Sequence, residues 1–231
     1  MTQGIRKRIR ASNPFGLMTL YDWLKKQTRN PANDYVWLMS RKEKILFKKY
    51  SARANVYLEF GAGGTTITAL KQSGSKVYSV ESDNNWLNAL RQKHDIIAAS
   101  ETSGRLKLFH ADIGSVGNFG KPLVVDNEDA RVRFPHYSRR IFEAYPEART
   151  ADVVLVDGRF RVACCLAVLL ETKGDTIMMI HDYWNRPHYH VIKDFITVID
   201  RGDTLMVCKK SPDAAVHAIQ DEYEKHKYDF R

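Results

Sequence analysis

Cysteine is scarce in this 231-residue sequence, with three in all. Cys164 and Cys165 are adjacent and Cys208 lies far downstream, so no CxxC or mixed Cys/His ligand spacing is present. Two neighbouring cysteines cannot both pair with a single third one; buried thiols behaving as small hydrophobes are expected. His181, His188 and His190 have no thiolate nearby, which argues against a zinc site. No apolar run approaches the roughly 20 residues that span a bilayer. The basic stretch MTQGIRKRIRASNPFG is followed by no apolar core of a secretory signal. The expectation is a cytoplasmic chain without a membrane partner. Repeats and low-complexity tracts are absent as well.

What is present is ordinary globular composition with an unusual charge distribution. A chain of this length buries roughly 70% of its unfolded surface on folding, enough for a full core without staples. The net charge is +9. Residues 1–50 hold 12 Lys/Arg against 3 Asp/Glu, whereas residues 51–231 hold 24 of each. The whole excess therefore sits in an N-terminal arm, in Arg6, Lys7, Arg8, Arg10, Lys25, Lys26, Arg29 and the stretch 41–49. Such an arm is either a solvated helix surface or a contact for an anionic partner such as nucleic acid.

Hydrophobic spacing divides the chain into this arm, residues 1–50, and a domain, residues 51–231. Leu17, Leu20, Tyr21 and Leu24 make one apolar helical stripe, which Asn30-Pro31 breaks. Ser40-Arg41-Lys42-Glu43 is a capping box that opens a second helix. Beyond residue 55, strands at Val56–Phe60, 76–80, Leu106–His110, Val153–Val156 and 176–180 alternate with helices at 65–72, 83–93 and 162–170. Continuous apolar strands alternating with helices predict a parallel sheet covered on both faces. The end differs: strands at 195–199 and 204–208 flank the turn Asp200-Arg201-Gly202-Asp203, and a polar helix follows at 213–228. The expected fold is therefore α/β, a Rossmann-like, mostly parallel sheet of seven strands with an antiparallel C-terminal hairpin and an N-terminal helical arm. Residues 114–150 are long for a strand connection and read as an insertion, a substrate lid or a surface excursion.

The sharpest local pattern is Leu58-Glu59-Phe60-Gly61-Ala62-Gly63-Gly64-Thr65. Glycines directly after a strand let the backbone turn and approach a ligand, and a helix N-terminus follows. A dinucleotide loop needs glycine at 66, where Thr66 stands; a P-loop needs Gly-Lys-Ser/Thr, which is missing. Glu81 ends the second strand, where a carboxylate can accept both hydrogen bonds of a ribose diol. Asp112 follows the third strand, placed to accept from an adenine amino group.

At Glu59-x-Gly61-x-Gly63-Gly64, Glu81, Ala111-Asp112, Val156-Asp157 and the terminal hairpin, the chain resembles the class I S-adenosylmethionine-dependent methyltransferases over residues 40–210. The third glycine of their ExGxGxG pattern is Thr65 here, with Gly64 one place earlier. The resemblance implies S-adenosylmethionine as cofactor. By position, Glu59, Gly61, Ala62, Gly63 and Gly64 would form the loop under its methionine and ribose parts. Glu81 with Ser82 would bind the ribose, and Asp112 with Ile113 the adenine. Trp86 reads as core.

On the reacting side, Asp157-Gly158-Arg159 and His181-Asp182 follow adjacent strands at the carboxyl edge. Asp157 or His181 is the candidate base, Asp182 stands beside them, and Arg159 is placed to hold an anionic substrate. Catechol O-methyltransferase-like enzymes carry Mg²⁺-binding acids at the positions of Asp157 and Asp182, but the neighbouring amide ligand is Tyr183 here. The expected function is methyl transfer to O or N of a small-molecule acceptor. The alternatives are a nucleic-acid methyltransferase using the basic arm, or a non-catalytic S-adenosylmethionine-binding protein.

Overall fold

The computed structural model describes residues 37–231. The expected helix through 17–24, the break at 30–31 and the basic positions between 6 and 29 lie outside the described residues. The capping box forms: Ser40 Oγ accepts from Glu43 N–H at 3.2 Å, and Glu43 Oε2 accepts from Ser40 N–H at 2.7 Å. It opens helix α1 (Arg41–Ser51). Then come β1 (Val56–Phe60), α2 (Gly64–Gln72), β2 (Lys76–Glu81), α3 (Asn84–Lys93), α4 (Asp95–Thr102) and β3 (Leu106–His110). The second half holds α5 (Glu128–Arg133), α6 (Pro135–Ala144), β4 (Val153–Val156), α7 (Arg161–Glu171) and β5 (Ile177–Ile180). It closes with β6 (Ile196–Gly202), β7 (Leu205–Lys210) and α8 (Val216–His226).

The strands form one seven-stranded sheet in the order β3-β2-β1-β4-β5-β7-β6. β1 pairs in parallel with β2 and β4, and β7 runs antiparallel to both β5 and β6. Alternate residues supply the two buried faces. Leu58, Phe60, Tyr78, Val80, Val154 and Val156 face a core shared with α6, α7 and α8. On the other face Tyr57 meets Phe47 of α1 edge-on, with ring centroids 5.9 Å apart. All three cysteines are buried thiols. Among the described residues no helix is long and apolar enough to cross a membrane.

Two expectations change. β6 runs on to Gly202 through a register shift between Val198 and Asp200, so the hairpin turn shrinks to Asp203-Thr204. An edge strand tolerates the charged pair Asp200-Arg201 that made this stretch resemble a turn. In the supposed insertion, α6 buries Tyr137, Ile141 and Phe142 against the sheet. It lies within the crossover that parallel strands β3 and β4 require.

Candidate functional site

The glycine loop is shaped from below by Glu59. This carboxylate is wholly buried and accepts from four hydroxyls: Tyr57 at 2.9 Å, Thr65 at 2.7 Å, Ser79 at 2.7 Å, and Thr66. Burial pushes its pKa up to about 7 against the pull of these donors. Thr66 Oγ1 also accepts from Gly63 N–H at 2.8 Å, so the residue that departs from the dinucleotide pattern ties the loop to its base. Glu59 thus holds the loop from beneath, whereas Gly61, Ala62, Gly63 and Gly64 form it.

Gly61 has φ 105°, and a Cβ there would stand 2.9 Å from Gly158 N. A Cβ on Gly158 would meet Tyr137 Oη at 2.0 Å and Gly61 N at 3.0 Å. The ends of β1 and β4 therefore touch backbone to backbone, which seats Asp157 directly beside the loop. Trp86 Nε1 donates to Ala62 O at 2.8 Å and so braces the loop rather than the general core.

Glu81 stands at the end of β2. Its carboxylate accepts from Ser82 N–H at 2.7 Å, Asp83 N–H at 3.1 Å and Ala62 N–H at 3.3 Å. Burial raises its pKa against these amide donors. Ser82 is buried, with Oγ 3.3 Å from both Glu81 Oε1 and Gly120 O. Asp112 is exposed, accepts from Gly114 N–H at 2.9 Å and pairs with Arg133 at 3.1 Å; Ile113 beside it is buried.

At the ends of β4 and β5 the charges converge. His181 Nδ1 is 2.8 Å from Asp157 Oδ1, and its Nε2 is 3.5 Å from Glu43 Oε2. Burial works against charge on this imidazole, but Asp157 and Asp182 outweigh it and raise its pKa. Asp157 is pushed up by burial and more than restored by His181 and Arg161, ending below its ordinary value. Arg161, at 5% exposure, reaches Asp157 Oδ1 at 3.1 Å, Asp182 Oδ2 at 3.0 Å, and the carbonyls of Asp157, Gly158 and His181. Asp182 is also held by Arg186 at 2.8 Å. Asp182 at φ 61° and Phe160 at φ 53° are in the left-handed region, a strained geometry that clusters at functional sites.

This arrangement corrects the Mg²⁺ alternative at Asp157 and Asp182. A buried guanidinium already bridges the two acids, where a hard cation would need open oxygens. Among the described residues no three His, Cys, Asp or Glu side chains gather into a metal site. Sequence reasoning singled out Asp157, Arg159, His181 and Asp182 but missed Arg161, Glu43 and Tyr137. Arg161 follows Asp157 by four residues, but across the strand-to-helix turn, where that spacing carries no helical signal. Glu43 was legible only as a helix cap.

Strand order, reversed β7 and the glycine loop define the fold of the class I, Rossmann-like, S-adenosylmethionine-dependent methyltransferases. The chain is similar to a methyltransferase-like protein from Silicibacter pomeroyi, at 26% identity and a TM-score of 0.72. The match covers 84% of this chain and 98% of that one. A methyltransferase from Podospora anserina, PaMTH1, whose structure holds S-adenosylhomocysteine, matches at 12% identity and a TM-score of 0.49, covering 91% and 97% of the two chains. No protein-family model and no curated protein matches the sequence.

Proposed function

We propose that the chain is an S-adenosylmethionine-dependent methyltransferase acting on O or N of a small-molecule acceptor. The observation that carries this is the backbone contact of Gly61 with Gly158, which sets Asp157 beside a glycine loop flanked by Glu81. The residues fit the cofactor. A Cβ on Gly63 would have Trp86 Cζ2 at 3.9 Å as its one neighbour within 4 Å, so the loop offers bare backbone and room. Gly61, Ala62, Gly63 and Gly64 would hold the methionine part, Glu81 with Ser82 the ribose, and Asp112 with Ile113 the adenine. The bound cofactor supplies an activated methyl group on sulfur.

The protein's own part is positioning and proton handling. Both side-chain hydrogen bonds to Asp157 fall on Oδ1, which leaves Oδ2 to take the acceptor's proton. His181 has a carboxylate at each ring nitrogen and a raised pKa, which suits it to orient Asp157 as a cation and not to act as the base.

Calorimetry with S-adenosylhomocysteine tests the reading. Saturable binding is expected, weakened about tenfold or more in Glu81→Gln; absence of heat at about 1 mM ligand overturns it. The nucleic-acid alternative predicts RNA or DNA binding that falls steeply with salt and is lost when residues 1–30 are deleted.

A further inference from the structure

Beside Asp157 the surroundings of Tyr189 are rich in positive groups. Tyr189 is buried, with the Arg161 and Arg186 guanidinium carbons 5.8 and 5.7 Å from its ring centre. The His188 ring lies 4.4 Å away, and Arg186 donates to Tyr189 Oη at 3.0 Å. Arg159 and Arg231 also lie within electrostatic reach of Tyr189.

The acids here are already engaged. Asp157 binds His181 and Arg161, Asp182 binds Arg161 and Arg186, and Asp229 binds Arg231 at 2.6 Å. Arg159 has no carboxylate within ion-pair distance among the described residues. Its Nε is buried without a hydrogen-bond partner, and so is His188 Nε2. A buried donor left unpaired costs free energy, so a ligand that satisfies it gains affinity. Arg159 sits at a built position: its backbone N–H donates to Tyr137 Oη at 3.3 Å, and the next residue, Phe160, has the left-handed backbone that turns β4 into α7. Burial and Arg161 both press against the Arg159 charge, as expected of a cluster short of negative charge.

We propose that Arg159 forms a subsite for an oxyanion of the methyl acceptor, a phosphate or a carboxylate. This rests on the methyltransferase reading and names the acceptor's chemistry: one end is held by Arg159 while the nucleophile lies near Asp157, two residues away. A planar guanidinium with unpaired N–H groups matches either oxyanion in a forked geometry.

The test uses the full chain with ¹⁵N-labelled arginine, titrated separately with inorganic phosphate and with succinate. The Arg159 Nε–Hε resonance is expected to shift saturably with at least one of them, and the tighter one identifies the acceptor's group. By calorimetry Arg159→Gln lowers that affinity about tenfold or more, Arg159→Lys lowers it less, and the surface variant Arg140→Gln leaves it unchanged. Arg159→Gln removes a side chain with no ion-pair partner, and an unchanged melting temperature confirms folding. Equal affinity in wild type and Arg159→Gln, or no shift with either anion, overturns the subsite. So does tight, steeply salt-dependent binding of a short RNA in place of both anions. S-adenosylhomocysteine binding is measured in parallel. If it fails while the anion result holds, the methyltransferase reading falls and the anion site stands. If it succeeds while Arg159→Gln changes nothing, only the subsite falls.

Discussion

Thr66 joins two chemistries through one oxygen, accepting from Gly63 N–H and donating to Glu59. Thr66→Val keeps the shape and removes both bonds, leaving the half-buried Gly63 amide unpaired. The expected loss is about 1–3 kcal/mol, read as a fall in melting temperature of roughly 2–4 °C per kcal/mol for a chain of this size. Glu43 has a different task. Burial pushes its pKa up, yet hydrogen bonds from Thr204 and Ser40 and the charge of His181 bring it below the ordinary value. Glu43→Gln removes a negative charge from beside His181, so the His181 imidazole should titrate at lower pH in histidine NMR. An unmoved titration would show that Asp157 and Asp182 set it without Glu43. Neither role was legible beforehand, because Thr66 reaches Glu59, and Glu43 reaches Thr204 and His181, only through the fold.

At the scale of elements, the weld between the β1 and β4 ends is the most exacting contact. Gly158→Ala should destabilise the fold by about 1–3 kcal/mol through overpacking. Tyr137→Phe, which removes the hydroxyl 2.0 Å from the new Cβ, should restore part of that loss. Denaturant unfolding of the two single variants and the double variant measures the coupling. Elements whose pattern is continuous were readable from sequence: β1, β4 and the α1 cap lie where hydrophobic runs and Ser40/Glu43 put them. Helix α4 was not foreseen, because Asp95–Thr102 is short and buries only Ile97 and Ser100. Helix α6 was hidden by its charges. Arg139 and Arg140 advertised a surface segment, whereas Tyr137, Ile141 and Phe142 carry it into the core.

For the whole molecule, the buried titrating groups fix how stability responds to pH. His181 is raised, so its contribution is complete below its ordinary value of 6.5 and is lost as pH climbs through the folded value. Glu59 is raised from 4.5 to about 7, so its contribution is complete below 4.5 and declines as pH rises to about 7. Asp157 and Glu43 are lowered; their contributions hold above the ordinary carboxylate range and vanish as pH falls through the folded values. Melting temperature should therefore peak in mildly acidic solution and fall on both sides. Glu59→Gln should flatten the decline between about pH 4.5 and 7. A curve unchanged by that substitution would place the decline elsewhere.

Glu43 caps α1, accepts from Thr204 N–H at 2.8 Å across the hairpin turn, and lies against His181. Fraying of that first turn and discharge of the imidazole are therefore one coupled equilibrium. Slow amide exchange at the start of α1 becomes a gauge of the charge state at the strand ends, readable without any substrate in hand.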